Sequence, residues 1–132
     1  MSGSIVDVIG FDHLVLRCAD VERSLAWYTG PLGMREVRVD EWRAGTAPFP
    51  SVRADATTII DLIPARGDVT ERNLDHLCLV VADGVVDAVV ASGELFRVVD
   101  GPGHRYGAQG DGWSVYVLDP DENVVELRSY PT

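Results

Sequence analysis

The sequence predicts an α+β fold made of two copies of one unit, each a strand, a helix and three further strands. The first observation is an internal repeat, because residues 12–20 and 75–83 have the same residue at six of nine positions. The second is that the same order of strand-like and helix-like patterns follows each copy. The third is length, since 132 residues suffice for one domain with a core but not for two independent catalytic domains. We therefore predict one duplicated domain over residues 1–132.

The first copy is predicted to cover about residues 10–64 and to begin with a strand over 10–18, in which apolar and polar side chains alternate. Asp20 is a typical N-cap, and apolar residues at helical spacing follow it until Gly30 and Gly33 end the helix. The three remaining strands of this copy are predicted at 35–42, 51–54 and 57–63.

The second copy is predicted to cover about residues 74–130, after a linker over 65–73 that has no periodic pattern. A strand at 74–82 and a helix at 85–92 repeat the start of the first copy. Three more strands are predicted at 95–100, 113–118 and 124–130. The glycine-rich stretch 101–112 is predicted to be a long loop, and loops of this length are often functional.

Composition limits the partners and the compartment. A net charge of −10 disfavours a nucleic acid, because its phosphates carry the same sign of charge. No apolar run approaches the roughly 18 residues of a membrane helix, and the N-terminus has no export signal, so a cytoplasmic protein is predicted. Cys18 and Cys78 lie in predicted strands and are expected to be reduced, packed thiols.

Two histidines occupy equivalent positions in the repeat. His13 and His76 are each the second residue of the repeated nine-residue segment, directly after an aspartate. Because duplicated units place such residues at symmetric points of the fold, the pair is a candidate for one shared metal site. The alternative is that each imidazole is a hydrogen-bonded structural residue.

Several short motifs, in this order, resemble the vicinal oxygen chelate superfamily, which includes glyoxalase I, fosfomycin-resistance enzymes, extradiol dioxygenases and bleomycin-binding proteins. The motifs are Asp-His-Leu at 12–14 and 75–77, Trp-Tyr at 27–28, Leu-Gly-Met at 32–34, Tyr-Val-Leu-Asp-Pro-Asp at 116–121 and Asn-Val-Val-Glu-Leu at 123–127. The resemblance spans about residues 10–130. It implies two tandem βαβββ modules that form an open, cleft-containing β-barrel with one divalent metal ion at its base.

The resemblance also implies the metal ligands, which by position are His13, His76 and Glu126. Glu126 stands between apolar neighbours in a strand, where a carboxylate must be paired, hydrogen-bonded or metal-bound. Two imidazoles and one carboxylate suit zinc, nickel, manganese, cobalt or iron(II), and the sequence does not choose among them.

Asp61 is the internal counterpart of Glu126, and glyoxalase-like relatives draw a fourth ligand from this position. Aspartate is one methylene shorter than the glutamate that is usual there. Asp61 is therefore a candidate direct ligand, a candidate for orienting a bound water, or an ordinary strand-edge carboxylate, and together with Glu126 it is a candidate general base.

Four further residues are candidates for binding the substrate. Ser114 and Tyr116 share one face of the strand that precedes Glu126, and fosfomycin-resistance enzymes resemble this stretch. Arg128 lies two positions after Glu126 on its face. His104 is a titratable side chain in the predicted glycine-rich loop, which is a possible lid.

The function expected from these features is that of a glyoxalase-like metalloenzyme, a lyase or isomerase that acts on a small oxygenated metabolite. Its metal would bind adjacent oxygens of the substrate. Three alternatives stay open: a metal-free protein that sequesters an antibiotic or other small molecule, a fosfomycin-type transferase, and a small extradiol dioxygenase. A homodimer is expected, because family members of this length usually pair and each module leaves sheet edges open.

Overall fold

The structure, a computed structural model, describes residues 11–66, 72 and 74–131. Each half of the chain contains one four-stranded sheet. The elements of the first module are β1 (His13–Cys18), α1 (Val21–Thr29), β2 (Arg35–Val37), α2 (Val39–Arg43), β3 (Ser51–Arg53) and β4 (Ile59–Pro64). Those of the second module are β5 (Leu77–Val80), α3 (Val85–Val90), β6 (Arg97–Gly107), β7 (Gly110–Leu118) and β8 (Val124–Ser129). Most of the predicted linker 65–73 lies outside the described residues.

The two sheets have the same topology. The strand orders are β1-β4-β3-β2 and β5-β8-β7-β6, and in each sheet the first strand runs parallel to the last while the other pairs are antiparallel. In the ranges described, β1 pairs only with β4 and β5 pairs only with β8, so the sheets do not close into a barrel. The predicted fold class, two tandem βαβββ modules in an open arrangement, is confirmed.

Each sheet has one face that carries the core and one that is open. In β1 the core face contains Leu16 and Cys18, while His13 and Val15 lie on the other face and are exposed. In β8, Val125 and Leu127 pack into the second core together with Val86 of α3. Because side chains alternate along a strand, the polar residues between these core positions are directed to the open face. The candidate site residues other than His104 lie on this face.

Two predicted elements were wrong. The stretch 35–42 is not one strand, because it divides into β2 and α2 at Arg38, which adopts a left-handed backbone with φ 58°. The stretch 101–112 is not a loop, because most of it forms the antiparallel β6–β7 hairpin. Two of its glycines are needed there for space: a Cβ atom on Gly107 or Gly112 would collide with the guanidinium of Arg128 or press closely against it.

The turn between β7 and β8 fastens the second module to α1 of the first. Asp119 is buried, and its carboxylate accepts hydrogen bonds from the hydroxyl of Tyr28 at 2.8 Å and from the backbone and side chain of Asn123 at 2.8 Å each. Asp121 accepts hydrogen bonds from the hydroxyl of Ser24 and the backbone of Ala19, both at 2.9 Å. The two modules are therefore joined by directional contacts as well as by apolar packing.

Within the described ranges, the chain has no helix that is long and apolar enough to cross a membrane.

Candidate functional site

Each module presents one histidine and one carboxylate on its open face. In the second module Nε2 of His76 lies 3.2 Å from Oε1 of Glu126, and in the first module Nε2 of His13 lies 3.8 Å from Oδ2 of Asp61. The parallel pairing of the first and last strands produces this arrangement, because it sets Asp61 opposite Val15 and Glu126 opposite Cys78, in each case two residues after the histidine and so on the same face. The structure thus brings the predicted residues together in two pairs.

Both imidazoles are held from the other side by the aspartate that precedes them. Nδ1 of His13 lies 2.7 Å from Oδ2 of Asp12, and Nδ1 of His76 lies 2.6 Å from Oδ2 of Asp75. The hydrogen bond with Asp12 raises the pKa of His13, burial opposes this shift, and the charge of Asp61 adds to it. A carboxylate that binds Nδ1 orients the imidazole so that its Nε2 is directed toward the carboxylate of the same module, Asp61 or Glu126. The sequence interpretation missed this role, although the repeated Asp-His signalled it.

A buried serine supports each carboxylate. Ser114 donates its hydroxyl to Oε2 of Glu126 at 2.7 Å, and Ser51 donates its hydroxyl to Oδ1 of Asp61 at 2.6 Å. Both serines are fully buried. Ser114 was predicted to bind substrate, and the structure places its hydroxyl on Glu126. Ser51 was missed, because it lies opposite Asp61 only through the β3–β4 pairing, which its local sequence does not reveal.

Arg128 lies under Glu126 and is only 3% exposed. Its Nε and one of its Nη atoms donate to Oε2 of Glu126 at 3.2 and 2.7 Å. The other N–H groups donate to backbone carbonyls of the β6–β7 hairpin, at Arg105, Tyr106 and Gly110. All five N–H donors of this guanidinium therefore have protein partners.

The surroundings of Glu126 keep it ionised. Burial raises the pKa of this carboxyl, but the hydrogen bonds from Ser114 and Arg128 outweigh burial and hold the pKa below its usual range. Asp61 has only a weaker ion pair. The guanidinium of Arg38 lies 4.0 Å from its carboxylate, and the side chain of Arg38 is 46% exposed. The sequence interpretation missed Arg38 as well, and nothing in its local pattern marks it.

Tyr116 and Arg105 extend the His76 pair along the open face. The ring of Tyr116 meets the ring of His76 edge-on at 5.6 Å, and the guanidinium of Arg105 lies 5.7 Å from the centre of the Tyr116 ring. Burial and the charge of Glu126 raise the pKa of Tyr116. Tyr116 thus remains beside the pair, as the sequence predicts.

His104 lies away from both pairs. It is in β6 opposite Trp113, and its ring contacts the Trp113 ring at 5.0 Å while Nδ1 lies 2.9 Å from Asp111. Trp113 in turn donates its indole N–H to Asp87 of α3 at 2.9 Å, which places this group on the helix-bearing face of the sheet. The structure does not bring His104 to Glu126. Cys78, predicted to be packed, is exposed beside Glu126.

The His76–Glu126 pair has the donor atoms and the spacing of two ligands of one metal ion. Atoms that each lie about 2.1 Å from an ion at 90–110° are about 3.0–3.4 Å apart, and the observed separation is 3.2 Å. In the part of the chain that the structure describes, however, no three His, Cys, Asp or Glu side chains form one group that could hold an ion. His13 does not join this pair within one chain. The structure therefore arranges these four side chains as two separate pairs, one in each module.

A groove of about 1160 Å³ lies between the two modules. Its lining is largely apolar and includes Leu14, Met34, Ile60, Leu77 and Leu127. These residues belong mostly to the core faces of the sheets, and the two histidines do not line it. The groove and the paired polar residues are thus different features of the molecule.

Two four-stranded sheets of the same topology, each with one histidine–carboxylate pair, make this a small duplicated α+β protein. A sequence profile of the Glyoxalase/Bleomycin resistance protein/Dioxygenase superfamily matches residues 10–127. The chain belongs to this superfamily.

Individual proteins agree with this assignment. The chain is 34% identical to the glyoxalase domain-containing protein RDO1 of Mycosarcoma maydis over 126 residues, which are 95% of this chain and 70% of that protein. The structure of an integron cassette protein from the mobile metagenome of V. cholerae matches with a TM-score of 0.76 at 25% identity, over 97% of this chain and 100% of that one. Lactoylglutathione lyase from Agrobacterium tumefaciens matches with a TM-score of 0.64 over 93% of this chain and 95% of that one. At 18% identity this last similarity shows the fold alone.

Proposed function

We propose that the protein is a metal-dependent, glyoxalase-like lyase or isomerase that acts on a small oxygenated metabolite. One divalent ion is held by His13, His76 and Glu126. The observation that carries the proposal is the His76–Glu126 pair, with its 3.2 Å separation and with Nδ1 of His76 held by Asp75. With Nδ1–H donated to Asp75, the lone pair of Nε2 faces a carboxylate oxygen, which is unfavourable unless a proton or a cation lies between them.

A second copy of the chain supplies the third ligand in this proposal. Among the residues that the structure describes, neither module brings three possible ligands together, and each has a histidine next to the free edge of its sheet. Val15 and Val80 lie on the same open faces and are 44% and 63% exposed. A homodimer in which the first module of one chain faces the second module of the other would cover these valines and unite the pairs.

The residues of the chain have distinct roles in this proposal. When bound, the metal polarises adjacent oxygens of the substrate and so makes a neighbouring proton more acidic. Asp61 is the better candidate for the general base, because one serine and a distant arginine leave Oδ2 open toward His13. Glu126 is bound to Ser114 and Arg128 and is suited to hold the ion. Tyr116 lies beside His76, where its hydroxyl can contact a bound substrate.

Metal binding is the first property to test. We expect purified protein to bind about one divalent ion per chain, and His76→Ala or Glu126→Ala to weaken binding at least tenfold, because the ligands share one coordination sphere. Metal content by mass spectrometry and titration of chelated protein measure this. His104→Ala is the matched control, since that imidazole lies on the other face. Unchanged affinity in the double variant His13→Ala/His76→Ala would contradict the proposal.

A mixing experiment tests whether the site is shared between chains. The His13→Ala variant lacks the ligand from the first module, and the Glu126→Ala variant lacks a ligand from the second module. In a mixed dimer one of the two sites regains all its ligands, so metal binding at about half the wild-type stoichiometry per dimer is expected to return. The control is a mixture of His76→Ala with Glu126→Ala, which damage the same half and should recover nothing. No recovery in the first mixture, with dimers present in sedimentation, would show that the site is not shared.

A second candidate function is metal-free sequestration of a small molecule. The apolar groove favours it, because ligand sites are commonly apolar cavities of a few hundred to a thousand Å³. The two functions differ in their metal dependence. A protein that holds no metal, and whose ligand binding is weakened by Leu77→Arg but not by Glu126→Gln, would be a sequestering protein. Iron as the bound metal would instead indicate a dioxygenase.

A further inference from the structure

We propose that Arg105 forms an anion-binding subsite beside the His76–Glu126 pair, which selects substrates carrying a carboxylate or a phosphorus oxyanion. The inference rests on the proposed function and adds a substrate class to it. It depends on which of the two arginines near Glu126 has hydrogen-bond donors left for a ligand.

Arg128 has none. Its five N–H groups are used by Glu126 and by three carbonyls of the hairpin, and its side chain is buried. Its charge is balanced by a carboxylate at 2.7 Å. A guanidinium in this state fixes the carboxylate and the hairpin in place and does not contact a ligand.

Arg105 differs in each respect. Its side chain is 35% exposed, and its hydrogen bonds are one to the carbonyl of His104 at 2.9 Å and one to Asp100 at 3.3 Å. Its Nε–H makes no hydrogen bond within the described part of the chain, but the guanidinium is close enough to the hydroxyl of Tyr116 to oppose the rise of that group's pKa. Asp100 is itself 63% exposed, and an exposed ion pair of this kind contributes little, so an incoming anion competes with it.

The guanidinium of Arg105 is held in a defined position by two neighbours. On one side it lies against the backbone of Gly103, where a Cβ atom would collide with its Nη1. On the other side it lies 5.7 Å from the centre of the Tyr116 ring, which itself contacts His76. Arg105, Tyr116 and His76 thus form a continuous row on the open face. A substrate whose reacting oxygens are at His76 would have its anionic group at Arg105.

The chemistry of the ligand follows from the donors. A planar guanidinium with free N–H groups recognises carboxylates and phosphates through paired hydrogen bonds, and lysine does so less well. The protein has a net charge of −10, so a neutral or cationic substrate would need no such group, while an anionic one needs a local cation to approach the site.

The test is a titration of the whole chain after its metal has been removed with chelator and the chelator has been dialysed away, followed by NMR of the Arg105 Nε–H and the Tyr116 backbone amide. Inorganic phosphate and glycolate are the probes, with ethylene glycol as the neutral control, all at constant ionic strength. Saturable shifts at Arg105 are expected with phosphate or glycolate, and not with ethylene glycol. Tighter binding of phosphate assigns the subsite to phosphorus oxyanions, and tighter binding of glycolate assigns it to carboxylates.

Variants complete the test. Arg105→Gln is expected to weaken the better probe at least tenfold, Arg105→Lys by less, and Asp100→Asn is expected to tighten it. Arg97→Gln, a change in the same strand at an exposed arginine, should leave it unchanged. Unchanged affinity in Arg105→Gln, or an equal loss in Arg97→Gln, would overturn the inference. Because the titration is made without metal, failure here leaves the metal proposal intact, and failure to bind metal leaves this result intact.

Discussion

Replacement of Glu126 by alanine is expected to lower the free energy of unfolding by about 3–5 kcal/mol, the usual cost of leaving one member of a buried ion pair without its partner. Arg128 is 3% exposed and would keep a buried, uncompensated charge against the β6–β7 hairpin. The β6–β7 hairpin should loosen as well, because Arg128 binds three of its backbone carbonyls. Urea unfolding in the presence of chelator measures the effect apart from metal binding.

Two variants separate the charge effect from other causes. Asp61→Ala is the matched change in the first module, and it should cost only about 1–2 kcal/mol, because Arg38 is 46% exposed and can return to water while Ser51 loses one hydrogen bond. The double variant Glu126→Leu/Arg128→Met removes both charges and should recover much of the lost stability. A loss in Glu126→Ala no larger than that in Asp61→Ala would show that the buried pair does not act as described.

Replacement of Asp119 by alanine is expected to lower the free energy of unfolding by about 3 kcal/mol, because several buried donors lose their acceptor together. Its carboxylate accepts hydrogen bonds from Tyr28, from the backbone of Asp121 and twice from Asn123. The loss should fall on the junction between the modules, since Tyr28 belongs to α1 and the turn belongs to the second sheet. Urea unfolding followed by tryptophan fluorescence measures it.

Tyr28→Phe is the companion variant, and it removes only the hydroxyl that joins the two modules. It should cost about 1–2 kcal/mol, and the double variant Tyr28→Phe/Asp119→Ala should cost less than the sum of the single changes, because both remove the same hydrogen bond. Additive effects would mean that the two side chains stabilise the protein independently, contrary to their 2.8 Å contact.

The internal repeat was the strongest source of correct prediction. The order of the elements and the strands around both histidines follow from patterns within about twenty residues, and such patterns depend on local alternation and helical spacing. The same information indicated that His13 and His76 are equivalent. The repeat also includes the aspartate before each histidine. Its role in orienting the imidazole could not be predicted, because it depends on the distance of about 2.7 Å between Nδ1 and the carboxylate.

The glycine-rich stretch shows why some predictions failed. Seven of the residues from 101 to 112 lie in β6 as its C-terminal part, although glycine is unfavourable in strands and common in loops. The reason is a residue distant in the sequence: the guanidinium of Arg128 fills the space above Gly107 and Gly112 and binds three carbonyls of the hairpin. A prediction from local sequence pattern cannot include this contact, because Arg128 is about twenty residues away in the chain.

The duplicated βαβββ architecture, the equivalence of the two histidines and the carboxylate in the last strand of each module could be predicted from the sequence, because these features depend on short-range pattern and on repetition. What each polar group binds depends on the tertiary structure. It divided the predicted ligands into the pairs His13–Asp61 and His76–Glu126, and it placed Arg128 under the carboxylate and left donors on Arg105. The physical reason is that hydrogen bonds and ion pairs depend on distances of about 3 Å between strands, which sequence spacing does not specify.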